Sequence, residues 1–125
     1  MLDKDAEAIE EALVVISAAN FDLNNFILDL CKLLQVDWHY KHEDLATLLK
    51  EAKNPLSLDY LYSATELQFP YLDYDDTYQF GRKCIKALSA IGTENAISRL
   101  ILLSESKIPE IAEYAKKELH GKGLL

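Results

Sequence analysis

The chain has 125 residues, half of them apolar and 27% charged, with a formal net charge of −8. These proportions exclude a disordered tail and fit one domain, residues 1–125, with an ordinary buried core. No apolar run approaches the roughly 18 residues needed to span a bilayer, and the acidic start MLDKDAEAIEEAL lacks the basic-then-apolar order of a secretory signal, so a cytoplasmic protein is expected.

The charge is unevenly spread. Residues 1–35 carry −5, residues 36–80 carry −6 and residues 81–125 carry +3. Phosphate contacts need Lys and Arg, so direct binding of nucleic acid by the first 80 residues is disfavoured. A basic partner would be drawn to the same surface. Two cysteines, Cys31 and Cys84, fall on apolar helical faces and are read as buried thiols, not as a disulfide framework.

Apolar residues recur at helical spacing along almost the whole chain. Ile9, Leu13 and Ile16 predict a first helix over 3–18. Phe26, Ile27, Leu30, Leu33 and Leu34 predict a second over 22–35. Leu45, Leu48, Leu49 and Ala52 predict a third over 42–53, and Leu58, Leu61 and Tyr62 a fourth over 56–67. Phe80, Cys84, Ala87, Leu88 and Ile91 predict a fifth over 76–90. Ala96, Ile97, Leu100 and Ile101 predict a sixth over 94–104, and Ile108, Ile111, Ala112, Ala115 and Leu119 a seventh over 108–120. Asn54-Pro55 and Gly92-Thr93 read as stop-and-cap turns, Ser106 and Pro109 open the last helix, and Gly121 ends it. Asp75 or Asp76 is placed to cap the fifth helix, where a negative charge suits the dipole. No segment alternates as a strand would.

An internal repeat organises these helices. Residues 45–66 lie over 84–105 at an offset of 39, so that Leu45, Leu48, Leu49 and Ala52 meet Cys84, Ala87, Leu88 and Ile91. Asn54 meets Thr93, cap on cap, and Leu58, Leu61 and Tyr62 meet Ile97, Leu100 and Ile101. Phe80, Gly81, Cys84 and Leu88 meet Ile111, Ala112, Ala115 and Leu119 at an offset of 31. Each unit is a helical hairpin that cannot bury its apolar stripe alone, so neighbours must stack.

No constellation demands a chemistry. Asp73, Tyr74, Asp75 and Asp76 resemble the start of a calcium loop, but Tyr78 stands where that loop needs glycine and Cys84 where it needs glutamate. His39 and His42 lack the HExxH order and a third ligand, and are read as two partly exposed histidines at a helix start. There is no GxSxG, no glycine-rich phosphate loop, and no histidine beside either cysteine in sequence. The expectation is a protein with no catalytic residues, no metal and no cofactor.

Binding remains. LQFPYLDYDD, residues 67–76, joins two hairpins and is about twice as long as the other turns; long inserts in repeat proteins tend to lie on a binding face. Phe69 or Leu72 is expected to pack inward. Tyr71 and Tyr74 are flanked by aspartates, which makes full burial costly and suits an interface. Residues 54–80 hold five acids and no base. The expected partner-binding residues are Trp38, Asp59, Tyr62, Glu66, Tyr71, Asp73, Tyr74, Asp75 and Asp76.

The stretch GRKCIKALSAIGTENAISRLILLSESKIPEIAEYAKKEL, residues 81–119, resembles a HEAT-like repeat. Ala87-Leu88 sits on the first helix, Ile91-Gly92-Thr93 forms the turn, Ala96 and Leu100 lie on the second helix, and Ile111, Ala115 and Leu119 resume on the next. The match is specific over about 40 residues, weaker over 42–66, where Lys53-Asn54-Pro55 replaces the Gly-Thr turn, and absent over 1–35. The resemblance implies an all-α solenoid of stacked antiparallel hairpins with about seven helices, in which 1–35 form an N-terminal cap and 42–120 the repeat hairpins. Short, acidic HEAT-like chains of bacterial type look like immunity proteins of contact-dependent growth inhibition and related polymorphic toxin systems. That resemblance implies a non-catalytic cytoplasmic protein that binds and blocks a cognate toxin domain, often a basic nuclease, with the acids above standing in for phosphate and Tyr71, Tyr74 and Trp38 as anchors. Lys116, Lys117 and Lys122 would lie away from that interface. The alternatives are a general HEAT-like adaptor or assembly factor, working through a groove lined by second helices, and a tetrapyrrole-handling protein, which the absence of a Cys or His placed for attachment disfavours.

Overall fold

A computed structural model describes residues 8–9, 26–72 and 77–124, and within them every regular element is helical. Six α-helices follow in order among the described residues: α1 (Ile27–Leu33), α2 (His42–Ala52), α3 (Leu58–Ala64), α4 (Gln79–Ile91), α5 (Glu94–Leu103) and α6 (Pro109–Gly121). Single 3-10 turns occupy Pro55–Ser57 and Pro70–Leu72. Of the predicted first helix only Ala8 and Ile9 fall within the described residues; both are helical and Ile9 is buried. The remainder of 3–18, and the start of the predicted second helix, lie outside them.

In most helices the apolar spacing that predicts the helix is the spacing that is buried; in α5 Ala96, Leu100 and Leu103 are buried, but the predicted Ile97 is half-buried and Ile101 exposed. α1 buries Ile27, Leu30, Cys31 and Leu33, α2 buries Leu45, Ala46, Leu48 and Leu49, and α6 buries Ile111, Ala112, Ala115 and Leu119. α4 lies at the centre and packs against α2, α3, α5 and α6. Its Phe80, Cys84, Ile85, Ala87 and Leu88 are fully buried, as a helix enclosed by four others requires. α5 also packs on α6, and α1 packs on α2. Both cysteines are free, buried thiols.

The two stop-and-cap turns follow one design. After α4, Gly92 takes the left-handed conformation (φ 68°) and Thr93 Oγ1 accepts the Ala96 N–H at 3.2 Å. After α2, Lys53 takes the same conformation (φ 52°) and Asn54 Oδ1 accepts the Leu56 N–H at 2.9 Å. The lysine does in one turn what glycine does in the other, at a cost that glycine avoids because it has no Cβ. The helix after the Asn54 turn is shorter than predicted. Pro55 opens a 3-10 turn, with Ser57 Oγ donating to the Asn54 carbonyl at 2.7 Å, and α3 runs only over 58–64 rather than 56–67.

The start of α4 also departs from expectation. Asp75 and Asp76 lie outside the described residues, and the N-cap position is Tyr78, itself left-handed at φ 55° and without a side-chain cap bond. Two residues into α4, Gly81 meets the end of α3. A Cβ built there would lie 2.3 Å from the Thr65 carbonyl oxygen and 2.6 Å from Ile111 Cδ1. The Thr65 hydroxyl turns away from α4 and donates to Leu61 O at 2.8 Å. Only a residue without a side chain lets α4 approach α3 and α6 this closely.

Gly81→Ala should therefore destabilise the protein by about 1–3 kcal/mol, outweighing alanine's gain in helix propensity of about 1 kcal/mol, because the clash is with backbone. Lys53→Gly should stabilise it by a few tenths to about 1 kcal/mol by relieving the left-handed lysine. Denaturant unfolding of both variants checks the two opposite signs.

Candidate interaction surface

Three rings stack between α1, α2 and the segment that follows α3. His39 lies on His42 with ring centroids 4.1 Å apart and planes 17° from parallel, and His42 lies on Phe69 at 3.6 Å and 18°. Phe80 of α4 meets both His42 (5.9 Å) and Phe69 (5.7 Å) edge-on. Both histidines are fully buried, which corrects the expectation of two partly exposed rings. The reason is long-range: Phe69 and Phe80, 27 and 38 residues beyond His42, close over it.

Each buried imidazole has both nitrogens bonded. His39 Nε2 donates to the Leu33 carbonyl at 2.6 Å, and its Nδ1 accepts the Lys41 N–H at 3.1 Å. His42 Nε2 donates to the Val36 carbonyl at 2.5 Å. Tyr71 closes the second nitrogen: its Oη accepts the His42 backbone N–H at 3.1 Å and donates to His42 Nδ1 at 2.7 Å. Donation to a carbonyl at one nitrogen and acceptance at the other define a neutral imidazole in each case. The two histidines thus satisfy carbonyls at and just beyond the C-terminal end of α1, groups that a helix end otherwise leaves bare.

Burial opposes the charged form of both rings. It lowers the His39 pKa, with the Leu33 hydrogen bond opposing, and lowers that of His42 to about 4, with the Val36 hydrogen bond opposing and His39 adding to the effect. Burial likewise pushes the Cys31 thiol up to about 12 and raises that of Cys84, so both are protonated at neutral pH. Among the described residues no group of three or more His, Cys, Asp or Glu is placed to hold a metal ion.

Around this stack lies an aromatic rim. Trp38, half-buried, meets His39 edge-on at 5.5 Å. Tyr40, 58% exposed, meets Tyr71 edge-on at 5.3 Å. Tyr71 is half-buried, so its hydroxyl is committed inward to His42 and only part of its ring faces solvent. Phe69 and Leu72 are both buried, as expected of the insert's inward-facing residues.

The other expected contact residues form a second group. On α3, Asp59 and Tyr62 both meet Arg99 of α5: the guanidinium donates to Asp59 Oδ1 at 3.1 Å and lies 5.2 Å from the Tyr62 ring centroid. Glu66, just past α3, accepts from Ser106 Oγ at 3.1 Å. Asp59 nevertheless stays 79% exposed, so its ion pair is the weak surface kind. The nine expected residues therefore divide. Trp38 and Tyr71 belong to the histidine stack; Asp59, Tyr62 and Glu66 line the α3–α5 seam; Asp73, Tyr74, Asp75 and Asp76 lie outside the described residues. Sequence reasoning missed Tyr40, His39, His42 and Arg99. For Arg99 a signal existed, since the 39-residue offset places it one position past the counterpart of Asp59.

Among the described residues no helix is long and apolar enough to cross a membrane. Comparison with protein-family models, with curated proteins and with solved structures returns no match.

Because both buried histidines are neutral in the folded state, the unfolded chain binds their protons more readily. Stability should be complete above pH 6.5, the ordinary histidine value, and fall as the pH drops from there toward 4. His42 alone should contribute a loss on the order of 3 kcal/mol across that window. Denaturant titrations at pH 7.5, 6.5 and 5.5, above the main carboxylate range, should show the decline. His42→Phe should be less stable at pH 7.5 yet lose less on acidification.

Proposed function

We propose that this chain is a non-catalytic immunity protein, a cytoplasmic HEAT-like stack of helical hairpins that binds and blocks a basic toxin domain, in particular a nuclease of a contact-dependent inhibition system. The observation that carries the reading is the pairing of a rigid aromatic rim with the most acidic part of the chain. Trp38 and Tyr71 are held by a ring contact and a hydrogen bond to the buried histidines, Tyr40 meets Tyr71 edge-on, and all three sit within residues 36–80, which carry −6. Rigid aromatics lose little entropy on binding, and surrounding carboxylates steer a cationic partner. Asp73, Asp75 and Asp76 in the adjoining insert, with the exposed Asp59 and Glu66, would oppose the cations that a nuclease uses for phosphate.

The hairpin-stack part of the reading draws support from two features. The turns at Lys53-Asn54 and Gly92-Thr93 match at the 39-residue offset in both conformation and capping. The polar contacts Asp59 to Arg99, between α3 and α5, and Glu66 to Ser106, just past their ends, share a separation of 40 residues, one step from that offset. The neutral, fully bonded histidines and protonated thiols support a binding role over a catalytic one.

A general adaptor is the second reading, and one observation favours it. Ile101 and Leu102 on α5 are each 49% exposed, and Leu56 is 62% exposed, an apolar contribution that a basic partner would not need.

Capture of partners from the native cell on the immobilised protein, eluted with a salt gradient, separates the readings. A single basic, nuclease-like domain bound one-to-one is the expected result, with association slowing about tenfold or more as salt is raised. Asp73→Lys with Asp75→Lys, and separately Trp38→Ala, should weaken the complex while leaving the folded state intact by circular dichroism. Unchanged affinity in both variants, or a salt-independent mixture of neutral partners, would replace the immunity reading with the adaptor.

A further inference from the structure

Three of the thirteen Lys and Arg residues of this acidic chain line one seam. α4 presents Arg82, Ile85 and Lys86, and α6 presents Tyr114, Lys117 and Glu118, each set at i, i+3, i+4 spacing. That spacing puts each set on a single strip of its helix, and the two strips line one pocket of about 150 Å³. Three cations and one carboxylate line it, in a protein whose net charge is −8.

Two of these cations lack the ion pairs that their neighbours have, and the third has a long one. Lys83, beside Arg82, pairs with Glu43 at 3.5 Å, and Arg99 pairs with Asp59 at 3.1 Å. Arg82 and Lys117 have no carboxylate partner among the described residues, and Lys86 reaches Glu118 only at 3.9 Å, the outer limit of an ion pair. Like charges held around one small volume repel, and an anion entering it relieves all three at once.

The pocket is also shaped. Tyr114 donates its hydroxyl to the Thr77 carbonyl at 2.6 Å and accepts from Gln79 Nε2 at 3.3 Å, which fixes the ring against the start of α4. The Arg82 guanidinium lies over that ring, 5.8 Å from its centroid. A guanidinium placed there can offer its N–H fork to a planar or tetrahedral oxyanion. Fully buried Ile85 gives the pocket an apolar wall.

We propose that the α4–α6 pocket is a binding site for a phosphate group, free or carried as the monoester of a small molecule. A phosphate dianion offers three terminal oxygens, enough for the Arg82 fork and the Lys86 and Lys117 ammonium groups together. A carboxylate satisfies the fork alone. Glu118 lies at one side of the pocket and holds Lys86 there; its negative charge sets the limit on how many anionic groups the site admits. The site is independent of the acidic, aromatic surface proposed to meet a basic protein, and either can fail without the other.

The test is an NMR titration of the full chain with inorganic phosphate, with chloride at equal ionic strength as the control, repeated with glycerol phosphate and with a short single-stranded RNA. Saturable shifts at the amides of 82–86 and 114–118 with phosphate or glycerol phosphate are expected, and the tighter of the two identifies the source. Arg82→Gln and Lys117→Gln, each checked for an unchanged melting temperature, should each weaken binding about tenfold. Shifts that match those of chloride, saturation unaltered in both variants, or saturation by RNA alone would overturn the proposal.

Discussion

Two neutral histidines, buried face to face, set the geometry at one end of this molecule. α1 is only seven residues long and ends among apolar side chains, so the carbonyls at and just beyond its end need donors from elsewhere. His39 and His42 supply them, to Leu33 and Val36 respectively. With their Nε2 atoms so committed, their rings lie nearly parallel, and Phe69 completes the stack. Tyr71 then fixes the segment after α3 to the first residue of α2 through one hydroxyl that both accepts and donates. A charged imidazole has no acceptor nitrogen, so protonation of His42 would deprive the Tyr71 hydroxyl of its acceptor on that ring and place an ion in the core.

The second constraint is the approach of α4 to the helices around it. Gly81 brings the α4 backbone against the Thr65 carbonyl, and Phe80, beside it, inserts into the histidine stack. Adjacent residues thus link the hub helix both to α3 and to the His39–His42 pair. The left-handed Tyr78 aims the chain into this position without glycine, which marks the start of α4 as a place where tertiary contacts override local preference.

Charge is sorted by element. Carboxylates outnumber cations along residues 36–80, while Arg82, Lys86 and Lys117 line one pocket between α4 and α6. Helical spacing makes this sorting possible, because residues three and four apart share a strip that a neighbouring helix then faces. Acidic and basic side chains can therefore occupy different parts of one small protein without cancelling.

The sequence by itself determined the helical class, the boundaries of α2, α5 and α6 to within a residue or so, the capped turns at Asn54 and Thr93, and the burial of Cys31 and Cys84; it left open which of Phe69 and Leu72 packs inward, and both do. These follow from local periodicity and capping chemistry, which act over a few residues and are written in order along the chain. It did not determine the fate of His39 and His42. A histidine's burial depends on which distant rings close over it, and Phe69 and Phe80 do so only after α2, α3 and α4 have packed. Nor did it show that Tyr71 faces inward with its hydroxyl, that Asp59 and Tyr62 share Arg99, or that Gly81 is required by a carbonyl sixteen residues away. Only the tertiary structure decided these, because each depends on two segments meeting at a distance and angle that no local pattern encodes.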